Sequence, residues 1–276
     1  MDSVHPQLQW LSDPFVLAPI VTLALVYALR FRSARREAGG RGTSPLRAVA
    51  FAGGILVLVV AVVTPLDGLG ERYLFSAHML QHVLLGDVAP LALLLGLSRV
   101  IMRPATRRLQ RAERALGPFA HPITALCVWL AVMYLWHIPA MYEAALASPV
   151  VHLVEHGSFF FAGIAVWWPL IQPVPMRTRL TGMWPIVYIG AAKFGLAALG
   201  LYLTWSSGVL YEHYERAPRI WGLGVQTDQN AGGAIMMVEQ SLTFVIALVV
   251  LFGLALKQSE TDQRRRERLD DAAASA

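Results

Sequence analysis

The chain has 276 residues, of which 56 % are apolar and 15 % charged, and its formal net charge is +5. Apolar runs of roughly 17 to 25 residues recur along it, each about long enough to cross a bilayer, and this pattern is typical of a polytopic membrane protein. The single cysteine, Cys127, excludes an intramolecular disulfide and the paired-cysteine motifs that bind metals.

We predict an all-α fold, a polytopic membrane helix bundle with seven transmembrane helices. In chain order the segments run approximately from Pro14 to Leu29, Ala48 to Pro65, Leu74 to Leu97, Ala120 to Ile138, Val150 to Ile171, Trp184 to Trp205 and Ala231 to Leu256. A basic cluster follows the first segment and none precedes it, which is typical of an uncleaved first helix. Residues 1–256 therefore form one predicted transmembrane domain, and the charged, then Ala-rich tail over residues 257–276 is expected to be disordered.

The basic residues predict the orientation of the bundle, because Lys and Arg in short loops are retained on the cytoplasmic side. Six arginines lie in the first connection and six in the third, and the fifth connection and the tail are also basic. The alternate connections carry only Arg72, Arg216 and Arg219. We therefore expect the N-terminus outside and the C-terminus in the cytoplasm. Anchoring arginines then account for the net charge, and no nucleic-acid-binding surface is required.

The longest connection on the predicted outer face spans residues 206–230 and contains Trp221, Gly222 and Gly224. Connections of this length without long helices of their own are often functional. We expect this segment to fold over the outer end of the bundle as a cap.

Two pairs of histidines lie where the third and fifth segments begin. His78 with His82, and His152 with His156, have the i, i+4 spacing that puts both side chains on one helix face. His137 ends the fourth segment at the same outer boundary. Histidines inside hydrocarbon are costly and usually functional, so we predict that these five residues bind a metal ion or haem.

Soft and acidic side chains lie at a similar depth: Met79, Met133, Met141, Met236, Met237, Glu155 and Asp228. Imidazole with thioether suits copper, whereas imidazole alone suits copper, zinc, iron or haem. Met236 and Met237 are therefore candidate soft ligands, and Glu155 and Asp228 are candidate partners that fix the imidazole tautomers. Residues 152–156 also match the HxxEH pattern of inverted zinc proteases, but a five-residue match is weak and we expect no catalytic activity.

Three ionisable residues fall nearer the middle of the membrane: Asp87, Lys193 and Glu239. Exposure to lipid would be costly, so we expect them to face one another or a wet cavity. The preferred pair is Lys193 with Glu239, because consecutive antiparallel helices bring their middles to a similar depth. A proton or ion path and a structural ion pair both remain open as roles.

Several ordered stretches resemble the multi-pass bacterial CtaG family of cytochrome c oxidase assembly factors. These are residues 75–82 (FSAHMLQH) followed by Ala89 and Pro90, the stretch 136–139 (WHIP) with Tyr142, the stretch 152–169, and residues 228–232 (DQNAG). The resemblance spans Tyr73 to Leu256. It implies a protein of the bacterial cytoplasmic membrane that helps to mature a haem-copper oxidase by assisting copper to its outer-face site.

The resemblance also implies partners and points to the same five histidines. The partners would be oxidase subunits, membrane lipid and a copper donor protein. Two other classes fit the residues. One is a membrane haem protein in which a histidine from the third helix and one from the fifth are axial ligands, and the other is a metal-free assembly scaffold.

Overall fold

A computed structural model describes residues 6, 8–11 and 13–274. In this part of the chain all regular structure is helical. The α-helices are α1 (Pro14–Glu37), α2 (Pro45–Val62), α3 (Leu66–Arg72), α4 (Phe75–Val83), α5 (Ala89–Gly96), α6 (Arg103–Leu116), α7 (Pro122–Trp136), α8 (Pro139–Ala147), α9 (Pro149–Ile171), α10 (Trp184–Trp205), α11 (Glu212–Arg216) and α12 (Val225–Ala274). A π-helical turn, Leu84–Val88, joins α4 to α5, and a 3-10 turn, Gly117–Ala120, lies between α6 and α7.

The predicted all-α membrane bundle is confirmed. Six continuous helical stretches are long and apolar enough to cross a membrane: Pro14–Glu37, Pro45–Arg72, Phe75–Gly96, Pro149–Ile171, Trp184–Trp205 and Val225–Arg268. The predicted fourth span is the exception. It is a 15-residue α7 that meets the preceding helical segment at a bend of 73°, and counting this bent pair as one span gives seven. Alone, α7 is about 22 Å long, which is shorter than the hydrocarbon core.

The first, third and fifth connections meet at one end of the bundle. The Arg30 side chain donates to the carbonyls of Val100 and Ile101, and Glu113 accepts a hydrogen bond from the Arg177 backbone at 2.7 Å. This arrangement agrees with the charge pattern, which assigned these connections to one side. The side that faces the cytoplasm stays a prediction.

The third span lies at the centre of the bundle. Side chains from α4, α7, α9 and α10 form the main core, and α2 packs against α5 through a second cluster that includes Phe51, Leu58 and Leu93. α1 is peripheral and is fixed by Tyr27, whose ring stacks on Phe51 with the centroids 3.6 Å apart. The central position of α4 brings its two histidines next to the fourth and fifth spans.

The π-helical turn in the third span has a cause in the sequence. The ring of Pro90 would clash with the carbonyl of Gly86, four residues earlier, in a regular α-helix, and the wider turn relieves that clash. The displaced carbonyl of Gly86 then lies against Gly163 of α9, where any side chain would collide with it. Small residues therefore permit the close crossing of α5 and α9 that aligns the two histidine-bearing helices.

The segment after Lys257 differs from its expected disorder, because α12 continues as a helix to Ala274. Arg, Glu, Gln and Ala in this segment are strong helix formers, and they extend a helix whose nucleation cost the membrane span has already met. Gln263 supports it by donating to Glu267 one turn later at 3.0 Å. Charge and low hydropathy predicted exposure of this segment, and its described side chains are exposed.

Candidate metal centre

The two histidine pairs face each other across the contact between α4 and α9. The ring centroids are 5.4 Å apart for His78 and His152, and 5.5 Å apart for His82 and His156. Within each helix the i, i+4 spacing brings the paired rings to 4.2 and 3.9 Å. His156 is half-buried and the other three are buried. The four imidazoles therefore form one cluster inside the bundle.

Glu155 completes a compact set of donor atoms. One nitrogen from each of His78, His152 and His156 and one Glu155 carboxyl oxygen lie within 4.8 Å of one another. The Glu155 side chain is fully buried, and its oxygens are 3.7 Å from His82 Nε2 and 3.9 Å from His152 Nε2, too far for hydrogen bonds. Nitrogen and oxygen donors at this spacing need only a small contraction to surround one metal ion, since their bonds to it are about 2.0 to 2.2 Å long.

Buried polar atoms without a hydrogen-bond partner concentrate in this cluster. They are His78 Nε2, His82 Nδ1 and Nε2, His152 Nε2, His156 Nε2 and both carboxyl oxygens of Glu155. Native proteins satisfy nearly all buried polar groups, and each exception requires an explanation such as an ion or water. A cation that accepts several of these lone pairs would remove the cost of burying them, so the residues fit a metal ion.

Three of the histidines are oriented by a contact of Nδ1, the ring nitrogen opposite Nε2. His152 Nδ1 lies 2.8 Å from Glu71 Oε1, and His137 Nδ1 lies 2.7 Å from the Met133 carbonyl oxygen. Both acceptors lack a hydrogen, so Nδ1 carries the ring proton and Nε2 keeps its lone pair. A carboxylate or carbonyl behind the imidazole is the usual arrangement at metal-bound histidines, because it fixes the ring and raises its basicity.

His78 is oriented by two tyrosines. Its Nδ1 is 2.9 Å from the hydroxyls of both Tyr142 and Tyr214, and these two hydroxyls are 3.1 Å apart. Tyr214 also donates to the Gly70 carbonyl at 2.7 Å. Burial raises the pKa of Tyr142 and of Tyr214, so both stay protonated and keep their hydrogen bonds. His78 Nε2 is thereby directed into the cluster.

The connection over residues 206–230 covers the histidines. Tyr211 and Tyr214 are each 1 % exposed, Ile220 is 2 % exposed, and Tyr211 donates to the His137 carbonyl at 3.0 Å. Gln229 anchors the connection, since its side chain bonds the backbone of residues 208 and 210. Residues 206–230 therefore fold against the bundle directly over the cluster.

A methionine adjoins the fifth histidine, but it is not one of the two that were favoured. Met79 Sδ is 3.4 Å from His137 Nε2, and the His137 ring is 6.0 Å from that of His82. Met237 instead faces α10, with its sulfur 3.7 Å from Thr204 Oγ1, and Met236 packs beside it against the same helix. The sulfur of Met237 is therefore directed towards α10, and Met236 as a soft ligand stays a prediction.

Asp228 caps a helix and does not fix an imidazole. Its two carboxyl oxygens accept the backbone N–H groups of Phe75 at 2.7 Å and Ser76 at 3.1 Å. These are unpaired donors in the first turn of α4, one turn before His78. The seventh span therefore holds the start of the helix that carries two of the histidines.

The three mid-membrane residues do face one another, with a different preferred pair. The Lys193 ammonium donates a hydrogen bond to Asp87, whereas Glu239 Oε1 lies 3.9 Å from the same ammonium. The π-helical turn re-aims Asp87 towards α10, and Trp167 donates a further hydrogen bond to the same carboxylate. The sequence indicated only that Lys193 and Glu239 lie at a similar depth. Depth does not show the direction in which a side chain points, so it did not predict the pairing of Lys193 with Asp87.

Sequence reasoning missed Glu71 and Tyr214. Glu71 lies in the short helix α3 before the third span, and Tyr214 lies in the connection over residues 206–230. Neither has a spacing that ties it to a histidine. The available signal was the predicted depth of the two connections, which brings both residues to the outer end of α4.

A family model described as cytochrome c oxidase caa3 assembly factor matches residues 25–258. The chain belongs to this family. Uncharacterised proteins of Mycobacterium bovis and of Mycobacterium tuberculosis are each 27 % identical to it over 280 residues, and one of Mycobacterium leprae is 25 % identical over 289. These matches cover 95 % of this chain and 41 or 42 % of the relatives, so the chain spans about two fifths of their length. No solved structure matches it.

The match confirms the family resemblance drawn from the third to seventh segments and extends it to residue 25, within α1. In this chain the matched region contains several membrane-length helices, and the histidines of the recognised stretches lie together in the bundle.

Proposed function

We propose that this caa3 assembly factor binds copper at the cluster of His78, His152, His156 and Glu155, and that it helps to deliver the ion to cytochrome c oxidase. The ion is cargo, so no catalytic step is required of the protein. The proposed setting is the bacterial cytoplasmic membrane, with the cluster at the outer face. Oxidase subunits are the proposed recipients, and a separate donor protein is the proposed source.

The single observation that carries the proposal is the set of buried, unpartnered donor atoms that converge on one point. A structural histidine cluster would satisfy its ring nitrogens with neighbouring carbonyls or hydroxyls. Here Glu71 and the two tyrosines satisfy only the outward nitrogens of His152 and His78. Inward lone pairs on oriented rings are what a metal ion needs.

Copper is the ion that the donor chemistry and the family favour together. Imidazole and carboxylate also suit zinc, but the thioether of Met79 beside His137 Nε2 adds a soft donor at the next position in the cluster. His82 lies between the two groups, with its ring 4.2 Å from that of His78 and 6.0 Å from that of His137. His82 would therefore allow an ion to be shared between the imidazole-rich end and the thioether end.

The haem alternative fits the cluster less well. A haem needs a flat space between its two axial histidines, and the rings from α4 and α9 are instead separated by 5.4 and 5.5 Å with other imidazoles beside them. The scaffold alternative requires no ion and leaves the unpartnered nitrogens unexplained. Both alternatives predict spectra and metal contents that differ from those of a copper site.

The test is elemental analysis and absorption spectroscopy of the detergent-purified protein after loading with Cu(I), Cu(II) or Zn(II). Wild type is compared with the His78→Ala/His82→Ala double variant. The control is His121→Ala, which removes an exposed imidazole at the far end of α7 from His137. Gel filtration and helical circular dichroism check that each variant is folded, and oxidase activity in cells lacking the native gene reports delivery.

We expect copper in wild type and in the His121→Ala protein, and its loss together with oxidase activity in the double variant. Copper retained by the folded double variant would overturn the site. Zinc binding that copper does not displace would support a metal site at the cluster but contradict copper as the delivered ion. A Soret band would select haem, and no bound metal in any protein would select the scaffold.

A further inference from the structure

A second buried polar cluster lies deeper in the bundle than the histidines. Asp87 comes from the π-helical turn of the third span, Lys193 from α10 and Glu239 from α12. Their side chains are 3 %, 4 % and 11 % exposed. This cluster shares no residue with the proposed copper site and serves no step in copper binding.

The carboxylates of the cluster accept hydrogen bonds from Lys193, Trp167 and Gln240. Asp87 accepts hydrogen bonds from Lys193 and from the indole of Trp167, and Gln240 donates to Asp87 at 3.4 Å and also to Glu239. The Lys193 ammonium also lies 5.0 Å from the ring of Trp167, within the range of a cation–π contact. Asp87 and Lys193 therefore satisfy each other.

Glu239 is left with too little compensation for a charge. Its Oε1 has no hydrogen-bond partner and is 3.9 Å from an ammonium that already bonds Asp87. In the described part of the chain, the cluster is faced by Trp129 from the fourth span, Trp167 from the fifth, and Gln240 and Thr243 from the seventh, and all four are neutral.

Counting charges then decides the protonation state. Two carboxylates and one ammonium would bury a net charge of −1 within the hydrocarbon span, and an uncompensated buried charge costs several kcal/mol in real proteins. Two carboxyl groups that share a site avoid this cost by retaining one proton between them. The stronger partners of Asp87 hold its charge, so the proton belongs on Glu239.

The position of Glu239 gives this proton a way to exchange. The residue borders an apolar groove between the third and seventh spans, whose walls include Leu80, Leu84, Ile235 and Leu242. The partial exposure of its side chain contrasts with the burial of Asp87 and Lys193. Glu239 therefore lies nearest the edge of the bundle, so its proton can exchange without opening of the core that encloses Asp87 and Lys193.

We propose that Glu239 is a proton-binding site that holds one exchangeable proton at neutral pH, beside the Asp87–Lys193 ion pair. The proposal is independent of copper binding. A purely structural ion pair would need only one acid to neutralise Lys193. The cluster has two acids, and we assign the exchangeable proton to the second, Glu239. Loss of the proton would leave Glu239 competing with Asp87 for the single ammonium.

Infrared spectroscopy of the detergent-purified full-length protein tests the proposal, because a protonated carboxyl has a C=O stretching band that an ionised one lacks. The band also moves to lower frequency when the proton is exchanged in D2O. Wild type is compared with Glu239→Gln, Glu239→Asp and Asp87→Asn. The control Glu260→Gln removes an exposed acid of the tail. Circular dichroism verifies the helix content of each protein.

We expect a D2O-sensitive band component of one carboxyl equivalent, resolved as the difference from the Glu239→Gln spectrum, in wild type and in Glu260→Gln; the buried Glu155 is present in every protein and cancels in this difference. Glu239→Gln should lose it, and Glu239→Asp, which keeps an acid if the Gln variant does not fold, should shift its frequency. Asp87→Asn should lose the band although Glu239 remains, because Lys193 then compensates the ionised Glu239. A band that survives Asp87→Asn, or that Glu239→Asp leaves unmoved, would overturn the proposal.

Discussion

Replacing Glu71 with Ala isolates the contribution of a residue that touches the candidate metal centre only through an imidazole. The carboxylate is 2.8 Å from His152 Nδ1, and the opposite nitrogen of that ring is one of the converging donors. The variant removes no donor atom from the cluster. It frees the ring to rotate and lowers the basicity of its inward nitrogen, so metal affinity should fall while the number of bound ions stays unchanged.

The expected size follows from the surroundings of Glu71. Removing the partner behind a metal-bound histidine typically costs 10- to 100-fold in affinity, or about 1.4 to 2.7 kcal/mol. The Glu71 side chain is 37 % exposed, so water screens its charge and the lower end applies, a loss of about tenfold. Glu71→Gln keeps an acceptor but no charge. Because charge-assisted hydrogen bonds are about twice as strong as neutral ones, it should lose only about threefold.

The assay is a competition titration of the purified protein against a chelator of known affinity, once with copper and once with zinc. Glu212→Ala is the matched control, since it removes an exposed carboxylate that pairs with Arg216 and is not part of the donor cluster. The order wild type, Gln variant, Ala variant in falling affinity supports the reasoning. If Glu71→Ala binds like wild type while His152→Ala does not bind, the carboxylate does not support a ligand and the reasoning fails.

Three further changes test the packing and the capping. Gly163→Ala should lower the free energy of unfolding by about 1 to 3 kcal/mol, and with it Tm, because the added methyl would collide with the carbonyl of Gly86. Gly157→Ala lies on the same helix but faces open space, so it should be neutral or slightly stabilising. Asp228→Ala should cost about 1 to 2 kcal/mol in thermal unfolding, because two backbone donors lose their acceptor, and an unchanged Tm would refute the capping role. Tyr142→Phe should weaken metal binding severalfold in the chelator titration with little change in Tm, and equal affinity would assign the orienting role to the neighbouring tyrosine alone.

Much of the fold was accessible from the sequence because the bilayer imposes one simple requirement. Each span must be a helix of about 20 apolar residues, so counting apolar runs located every helix that is long enough. The fourth span shows the limit of this approach. Its hydropathy suggested residues 120–138, but Pro122 starts the helix late and the chain turns before Pro139, which leaves a short α7 and a bend.

The candidate site was predictable where it depended on helix periodicity and unpredictable where it depended on loops. Spacing identified His78 with His82 and His152 with His156, since i and i+4 share a face whatever the tertiary structure. Glu71 reaches the site from a short helix between two spans, and no periodic pattern connects it to α9. The direction of the Met237 side chain was unpredictable for a related reason, because similar depth does not show the rotation of α12 about its axis.

The third span links the two polar clusters mechanically. Its histidines lie within the first turns of α4, and Asp87 lies about one turn further on, inside the π-helical turn that changes the direction in which its residues point. Asp228 of α12 holds the first turn of α4, and Glu239 lies three turns further along the same α12. Any rotation of α12 that reorients Glu239 therefore also pulls on the cap of α4, one turn from His78. Metal affinity and the protonation of Glu239 can be measured in the same preparations, and a change of copper affinity in Glu239→Gln, with Tm unchanged, is the result expected if this link transmits strain.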